Sequence, residues 1–306
     1  MESLKPNADK TVWDREPSVP SRLIEYVDQG VRAKLPPGTQ VRGIAPSGNS
    51  YWARTAKIDA VDAAGNPTPF FLKVHQFEHG RDMVETEFES MRLMHDVMPE
   101  FVMRPLAWGA FTEGPDAFFL LVPFYDLCRK SIKPPEYVAL MAEFHRRGAV
   151  PGGKFGLPFH TYAGRIRQDF PMRATWEQCF LDGMVPLFDA EEEAQGADEE
   201  LTRLRQSFLT NVVPRLLRPL ETEGCRLVPT LCHGDLWYGN AAVDTKTGRT
   251  MIFDAAPMYA PAEYDLGPWF AHRELLGYDY VAEYVKHVPR LEPADEFEDR
   301  LNLYWV

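Results

Sequence analysis

The sequence has little of what marks a secreted, membrane-bound or metal-stapled protein. Among 306 residues there are four cysteines, and their spacing suggests neither a zinc site nor a disulfide framework. We therefore expect free thiols in a reducing cytosol, and a cytoplasmic protein. No run of residues approaches the roughly 18 uncharged apolar residues of a membrane helix, so we expect no membrane partner. The N-terminus lacks an apolar core, so we expect no secretory signal.

Positive charge is also scarce. The sequence has 33 Lys and Arg residues against 45 Asp and Glu residues, which gives a formal charge of −12. Such a protein would repel a phosphate backbone, so we expect no nucleic-acid partner. A chain of 306 residues exceeds what one hydrophobic core usually serves, so we expect two lobes.

Apolar patterning divides the chain into a β-rich first part and a mostly helical remainder. A first helix is predicted from Ser21 to Val31. The segments 41–58, 69–75, 101–111 and 117–123 are then predicted to form a five-stranded sheet, with two strands in the first segment and one helix inserted after the second. Beyond Pro123 the pattern predicts helices over 134–145, 173–188 and 201–220.

The most informative stretch is Leu-Cys-His-Gly-Asp-Leu-Trp-Tyr-Gly-Asn at 231–240. It places Asn240 five residues after Asp235, and Asp254 follows fourteen residues later at the end of an apolar segment. Phosphoryl transfer from ATP needs a carboxylate that accepts a hydroxyl proton, and amide and carboxylate oxygens that hold Mg²⁺. We predict Asp235 as the catalytic base, and Asn240 and Asp254 as the metal ligands. A polar turn between two strands is the alternative.

These residues carry a family resemblance. His-Gly-Asp-Leu-Trp-x-Gly-Asn, then Phe-Asp-Ala-Ala-Pro and Glu263-x-Asp265-Leu-Gly267, resemble the fructosamine kinase family (ketosamine 3-kinases). That family belongs to the broader group of aminoglycoside-phosphotransferase-like kinases. The similarity runs from about Val41 to the C-terminus. Two positions depart from the family, because Tyr238 replaces a small residue and Asp254-Ala-Ala replaces Asp-Pro-Ala.

The resemblance implies an α+β, protein-kinase-like bilobal fold, with a small β-rich lobe containing one main helix and a larger, mostly helical lobe. We place the N-terminal lobe at 1–122, the hinge at 123–127 and the C-terminal lobe at 128–306. The resemblance further implies that ATP and Mg²⁺ are the cofactors. It also implies that the acceptor is a ketosamine, free or on a glycated protein, and that its sugar 3-hydroxyl is phosphorylated. We expect a monomer or a weak dimer. A kinase for another hydroxyl compound, aminoglycoside- or choline-like, and a weakly active nucleotide-binding protein are the alternatives.

Lys73 is the second strong signal, because a strand with both faces covered rarely carries an unpaired charge. Facing a nucleotide cleft, it would contact the phosphates and be held by a carboxylate on the following helix. Glu87 matches the family's Glu, fourteen residues later. Glu85 and Glu89 are rivals, but they would point about 200° away around the helix. An edge-strand lysine facing water is the alternative.

Two weaker patterns complete the predicted nucleotide site. The turn at Gly48 and Asn49 would cover the phosphates, although an ordinary hairpin turn is the alternative. In kinase-like folds, adenine meets one hinge carbonyl and, two residues on, one hinge N–H. Here Pro123 would supply the carbonyl and Tyr125 the N–H, on either side of Phe124. Proline keeps its carbonyl and lacks only the donor, so this position permits it.

Three further residues receive predicted roles. Trp237 and His233 are predicted on the substrate side, with a core position that anchors the loop as the alternative for Trp237. Asp265 is predicted to support the catalytic loop through hydrogen bonds.

The segment 299–306 has apolar residues at helical spacing but no terminating Gly, Asn or Pro. We expect either a truncation or a final helix with Leu303, Tyr304 and Trp305 packed inward.

Overall fold

The computed structural model describes residues 19–305 apart from 49, 51, 77, 115, 129–131, 223 and 271–275. The predicted phosphate-loop residue Asn49 lies outside the described residues. None of the described helices is long and apolar enough to cross a membrane.

The first half of the protein is a five-stranded antiparallel sheet. Its strands are β1 (Gln40–Pro46), β2 (Arg54–Val61), β3 (Phe70–Gln76), β4 (Ala107–Ala110) and β5 (Ala117–Pro123), in the spatial order β1-β2-β3-β5-β4. Side chains alternate across β3, so Phe70, Leu72 and Val74 are buried in the core while Lys73 points to the other face. Because β3 lies between β2 and β5, the alternative of an edge-strand lysine is wrong.

Two expectations for this half need correction. The predicted first helix is two short pieces, a 3₁₀ turn at Ser21–Ile24 and helix α1 (Gln29–Arg32). Asp28 separates them, because its buried carboxylate accepts hydrogen bonds from the Gly30 and Thr112 amides at 2.7 and 2.9 Å. The predicted strand at 101–111 is limited to β4, and Phe101 packs instead in the core of the second half.

Helix α2 (Glu78–Val97) follows β3 and lies against β3, β4 and β5. Its apolar residues recur at three- and four-residue spacing, which places Val84, Met91 and Met94 on the buried face. Glu87 lies on this same face, three residues after Val84 and four before Met91. The helix therefore directs the Glu87 carboxylate toward β3 and Lys73.

At Pro123 the first sheet ends, and β6 (Leu127–Cys128) joins a different one. That sheet has the order β11-β10-β6, and we retain 123–127 as the proposed hinge. The remaining strands are β7 (Thr161–Ala163), β8 (Ile166–Gln168), β9 (Thr230–Cys232), β10 (Ala241–Asp244), β11 (Thr250–Ile252) and β12 (Met258–Ala260). The helices are α3 (Pro134–Arg147), α4 (Trp176–Gln195), α5 (Glu199–Ser207), α6 (Val213–Leu217), α7 (Gly267–Phe270), α8 (Tyr278–Tyr284) and α9 (Phe297–Leu303).

The predicted helix over 201–220 is interrupted. Between α5 and α6 the chain forms a π-helical segment at Phe208–Val212, in which the Val213 amide donates to the Phe208 carbonyl. Pro214 has no N–H to donate, so the regular hydrogen-bond ladder cannot continue through it. The wider hydrogen-bond spacing of the π-helical segment lets the chain stay helical up to Pro214.

The last helix packs inward, which is the second of the two expectations for the segment 299–306. Leu303 and Tyr304 are buried, and the Tyr304 hydroxyl accepts a hydrogen bond from the Trp176 indole at 3.1 Å. Trp305 is only half-buried. Arg300 is fully buried in the same helix, where it pairs with Glu263 at 2.8 Å.

Candidate active site

The loop at 233–240 leaves β9 and is fixed by Asp265, which lies in a 3₁₀ turn at Ala262–Leu266. The Asp265 carboxylate accepts hydrogen bonds from the His233 and Gly234 amides at 2.7 and 2.9 Å. Gly234 has φ of 80°, and a Cβ there would lie 1.8 Å from the Ala256 carbonyl oxygen, so only glycine fits. Burial alone would raise the pKa of Asp265, but hydrogen bonds from His145 and from the loop lower it. A charged Asp265 therefore holds the loop that presents Asp235.

His233 has a different place from the one predicted. Its ring is fully buried, with Nε2 lying 3.0 Å from the Phe253 carbonyl, while Nδ1 accepts from the Asp235 amide at 3.3 Å. This pattern requires the proton on Nε2 and a neutral ring, and burial accordingly lowers the pKa of His233. We therefore replace the predicted substrate contact with a role in holding the loop.

Asn240 joins the two predicted aspartates, through the carboxylate of Asp235 and the main-chain carbonyl of Asp254. Its amide nitrogen lies 2.8 Å from the Asp235 carbonyl, 2.9 Å from the Asp235 carboxylate and 3.2 Å from the Asp254 carbonyl. The amide nitrogen is used by these acceptors, so the amide oxygen is the atom of this side chain suited to a cation. The three residues Asp235, Asn240 and Asp254, which are separated in the sequence, thus form one compact cluster.

Lys73 links this cluster to the first half of the protein. Its ammonium lies 2.9 Å from both carboxylate oxygens of Glu87 and 2.8 Å from Asp254. Asp254 has φ of 60°, an unusual conformation that Asp tolerates, and its side chain is 54% exposed toward the cleft. Glu87 is thus the partner of Lys73, while its rival Glu89 pairs with Arg92 at the surface.

The charges in this triad affect one another strongly. Burial alone would lower the pKa of Lys73, but the carboxylates of Asp254 and Glu87 raise it above its ordinary value. Burial raises the pKa of Glu87 to about 7, and the Lys73 charge lowers the pKa of Asp254. At neutral pH the cleft therefore presents a stable ammonium beside an ionised Asp254.

A cavity that is open to solvent on one side lies against these groups. It is lined by Lys73, Glu87, Asp235 and Asp254, together with aromatic side chains from both halves of the protein. The predicted base and the predicted phosphate-binding lysine therefore line the same cavity.

A hairpin formed by β7 and β8, two strands that the sequence did not predict, closes one side of this cavity. The Tyr162 hydroxyl and the His160 ring both contact one Asp82 carboxylate oxygen, at 2.5 and 2.6 Å, so the hairpin is tied to α2. At the hairpin tip Gly164 lies against the Trp52 indole, since a Cβ there would be 3.2 Å from the indole nitrogen. Gly164 between two short extended segments was the one available turn signal.

The predicted phosphate loop and hinge lie where the sequence placed them, and their contacts with ATP stay predictions. Gly48, with φ of 82°, forms the turn between β1 and β2, a conformation that favours glycine. Pro123 ends β5 opposite Phe70, and the Phe124 amide donates to the Pro69 carbonyl at 3.0 Å. The adenine contacts of Pro123, Phe124 and Tyr125 stay a prediction.

Trp237 is 42% exposed, so the alternative of a core tryptophan is wrong. Its ring covers Gly239, where a Cβ would lie 2.2 Å from the indole. The side chain therefore lies at the surface of the loop that carries Asp235, and its contact with substrate stays a prediction.

Comparison with known proteins agrees with this geometry. Residues 54–306 match the model that describes the fructosamine kinase family. The chain belongs to the fructosamine kinase family. It is 32% identical to mouse ketosamine-3-kinase over 152 residues, which cover 49% of this chain and 45% of the mouse protein. It is 25% identical to the chloroplastic protein-ribulosamine 3-kinase of Arabidopsis thaliana over 236 residues, covering 77% and 68% of the two chains.

Solved structures of related fold extend the comparison. A Thermobifida fusca protein described provisionally as a fructosamine-3-kinase superposes with a TM-score of 0.66 at 20% identity, covering 87% of this chain and 86% of its own. Aminoglycoside phosphotransferase APH(4)-Ia superposes with a TM-score of 0.56 at 15% identity, covering 87% and 83%. These likenesses confirm the α+β, protein-kinase-like bilobal fold predicted from the sequence.

Proposed function

We propose that this protein is an ATP- and Mg²⁺-dependent ketosamine 3-kinase. The observation that carries the proposal is the convergence of two sets of groups on one cavity. Lys73 and Glu87 come from the sheet and α2, and Asp235 and Asp254 come from the second half, where Asn240 contacts both aspartates. Together they form the set of groups that phosphoryl transfer requires, in the order predicted from the sequence.

Asp235 would orient the acceptor hydroxyl and take its proton. Its carboxylate lines the cavity and is held at 2.9 Å by the Asn240 amide, so its direction is fixed before any substrate arrives. Such pre-positioning contributes to rate because the hydroxyl need not search for its base. Phosphoryl transfer asks for little covalent chemistry from the protein beyond this.

Lys73 would bind phosphate oxygens of ATP, with Glu87 holding the ammonium in place. The Asn240 amide oxygen and the exposed Asp254 carboxylate are hard oxygen donors, the ligand type that Mg²⁺ prefers, so the residues present fit this ion. When bound, Mg²⁺ would neutralise phosphate charge. Asp254 and Lys73 would keep the phosphate groups close to Asp235.

The acceptor is proposed from the family and its relatives. The mouse and Arabidopsis relatives are named as kinases of ketosamines and of protein-bound ribulosamines. A sugar ketosamine on a lysine amine, phosphorylated on its 3-hydroxyl, becomes an unstable adduct that sheds the sugar. The activity would thus repair glycated proteins. A cytoplasmic location and a monomeric or weakly dimeric state belong to the same proposal.

ADP release from the purified protein tests this function. With ATP and Mg²⁺, a fructosyl-lysine or ribulosyl-lysine model compound should stimulate release, whereas unmodified lysine, choline and an aminoglycoside should not. Glu87→Gln should lower the stimulated rate, because Lys73 loses one of its two charged partners. Glu85→Gln is the matched control on the same helix, since Glu85 pairs at the surface with Arg81. Stimulation by choline or the aminoglycoside alone would replace the ketosamine assignment.

A further inference from the structure

Two buried polar side chains in the cavity have no partner within the described part of the chain. They are His75, 3% exposed, and Ser90, 1% exposed, and the orphaned atoms are the His75 Nε2 and the Ser90 hydroxyl oxygen. Both residues line the same cavity as Asp235. Leaving a buried polar group unsatisfied is unfavourable, so native proteins rarely do so without a ligand, an ion or water at the site.

The positions of the two residues follow from the local structure. His75 lies two residues after Lys73 on β3, so both side chains project from the same face of the sheet. Ser90 lies three residues after Glu87 on α2, so it shares the face that Glu87 presents to the cavity. The orphaned atoms therefore flank the Lys73–Glu87 ion pair.

The chemistry of the cavity favours a neutral, oxygen-bearing ligand at this place. The cavity wall carries three carboxylates, those of Glu87, Asp235 and Asp254, against the one ammonium of Lys73. Lys73 is already assigned to the phosphates of ATP, and the orphaned Ser90 hydroxyl carries no charge that would hold a further anion. Burial, helped by the nearby Lys73 charge, lowers the pKa of His75 to about 3, so its ring is neutral at physiological pH. A neutral imidazole and a hydroxyl each donate and accept, as sugar hydroxyls do.

We propose that His75 and Ser90 form a subsite that binds hydroxyl groups of the acceptor's sugar, beside the Lys73–Glu87 pair. The inference rests on the proposed function, because it assigns the sugar of the ketosamine to this end of the cavity. The two residues thereby help to determine which sugar adducts the enzyme accepts. They are specificity-determining residues, and neither takes part in proton or phosphoryl transfer.

Ser90→Ala is the main test, because it removes the hydroxyl and leaves no steric change of consequence. Thr86→Val is its matched control. Thr86 lines the same cavity one helix turn away, but its hydroxyl already donates to the Asp82 carbonyl at 2.8 Å. His75→Leu is the second variant, and melting temperatures show whether each protein is folded.

Steady-state kinetics with a fructosyl-lysine model compound give the first readout. Loss of one neutral hydrogen bond should raise the acceptor KM of Ser90→Ala about 2- to 10-fold, with the KM for ATP unchanged. Thr86→Val should leave both constants at the wild-type value. Deoxy analogues that lack single sugar hydroxyls give the second readout. Wild type and Ser90→Ala should bind one of these analogues equally, because the hydroxyl that Ser90 contacts is gone.

Each other outcome has a definite meaning. An active wild type whose acceptor KM is unchanged in both Ser90→Ala and His75→Leu would overturn the inference and leave the proposed function standing, with water as the partner of the orphaned atoms. A rise confined to the KM for ATP would overturn it by assigning the subsite to the nucleotide phosphates. A folded wild type without activity toward fructosyl-lysine and ribulosyl-lysine would overturn the proposed function and this inference together.

Discussion

Removing the guanidinium of Arg300 should destabilise the protein severely. Arg300 is 0% exposed and forms a two-pronged ion pair with Glu263, at 2.8 Å from Nε and 3.1 Å from Nη2. Its remaining donors reach the carbonyls of Leu291 and Pro293, both at 2.8 Å. Glu263 also accepts a hydrogen bond from the Leu291 amide at 2.8 Å. Both carboxylate oxygens of Glu263 and all three guanidinium nitrogens of Arg300 therefore have partners.

Arg300→Met keeps much of the apolar stem and removes the charge. The variant leaves a buried Glu263 carboxylate without its cation, together with two carbonyls that lose their donors. Breaking a buried pair from one side typically costs about 3–5 kcal/mol, because the remaining charge is not solvated. Glu263 shares the Ala262–Leu266 turn with Asp265, so the folded fraction of the variant should also show reduced turnover.

Urea denaturation followed by circular dichroism measures the effect. The free energy of unfolding should fall by about 3–5 kcal/mol, with the slope against urea unchanged. The double variant Arg300→Met, Glu263→Met should recover part of the loss, since no charge is then left unpaired. A loss below about 1 kcal/mol for the single variant, the range of exposed ion pairs, would refute this account of the cluster.

Further predictions concern the site and the last helix. Asp235→Asn should bind ATP nearly as wild type but turn over roughly 10²–10⁴-fold more slowly, the range for losing a general base, and more than half of wild-type turnover would remove it from the mechanism. Asp254→Asn should raise the Mg²⁺ concentration that gives half-maximal ADP release, whereas an unchanged Mg²⁺ titration would contradict its assignment as a ligand. The pKa of His75 is about 3 in the folded protein and about 6.5 in the unfolded chain. As pH falls, the unfolded chain therefore binds this proton at a higher pH than the folded protein does. Between pH 6.5 and 3 the unfolding free energy of wild type should therefore drop up to about 1.4 kcal/mol per pH unit more steeply than that of His75→Leu, and parallel curves would show that His75 titrates normally. Deleting 299–306 should lower the melting temperature clearly, and an unchanged value would make that segment dispensable.

Local signals in the sequence were sufficient for the central sheet and for much of the site. The lone cation in the apolar run at 70–74 already singled out Lys73. The spacing from Lys73 to Glu87 is set by one strand and one helix, so few geometries are available to it. Asp235 and Asn240 lie in one short loop, and their contact follows from that proximity.

Features that depend on distant partners were not predictable in this way. The first helix breaks because Asp28 bonds to Thr112, which is 84 residues away. The hairpin over the cavity has three-residue strands, too short for periodicity to identify, and its anchor to Asp82 spans about eighty residues. The fully buried place of His233 depends on the Phe253 carbonyl, which belongs to another segment.

The position of the transferred phosphate tests the central claim most directly. Purified protein with ATP, Mg²⁺ and a fructosyl-lysine model compound should yield a product whose phosphate is attached to the sugar 3-hydroxyl, as observed by phosphorus and carbon NMR. The same reaction with Asp235→Asn should yield little of this product in the same time. An active wild type that leaves the ketosamine unmodified, or that places the phosphate on a different hydroxyl, would contradict the assignment of this protein as a ketosamine 3-kinase.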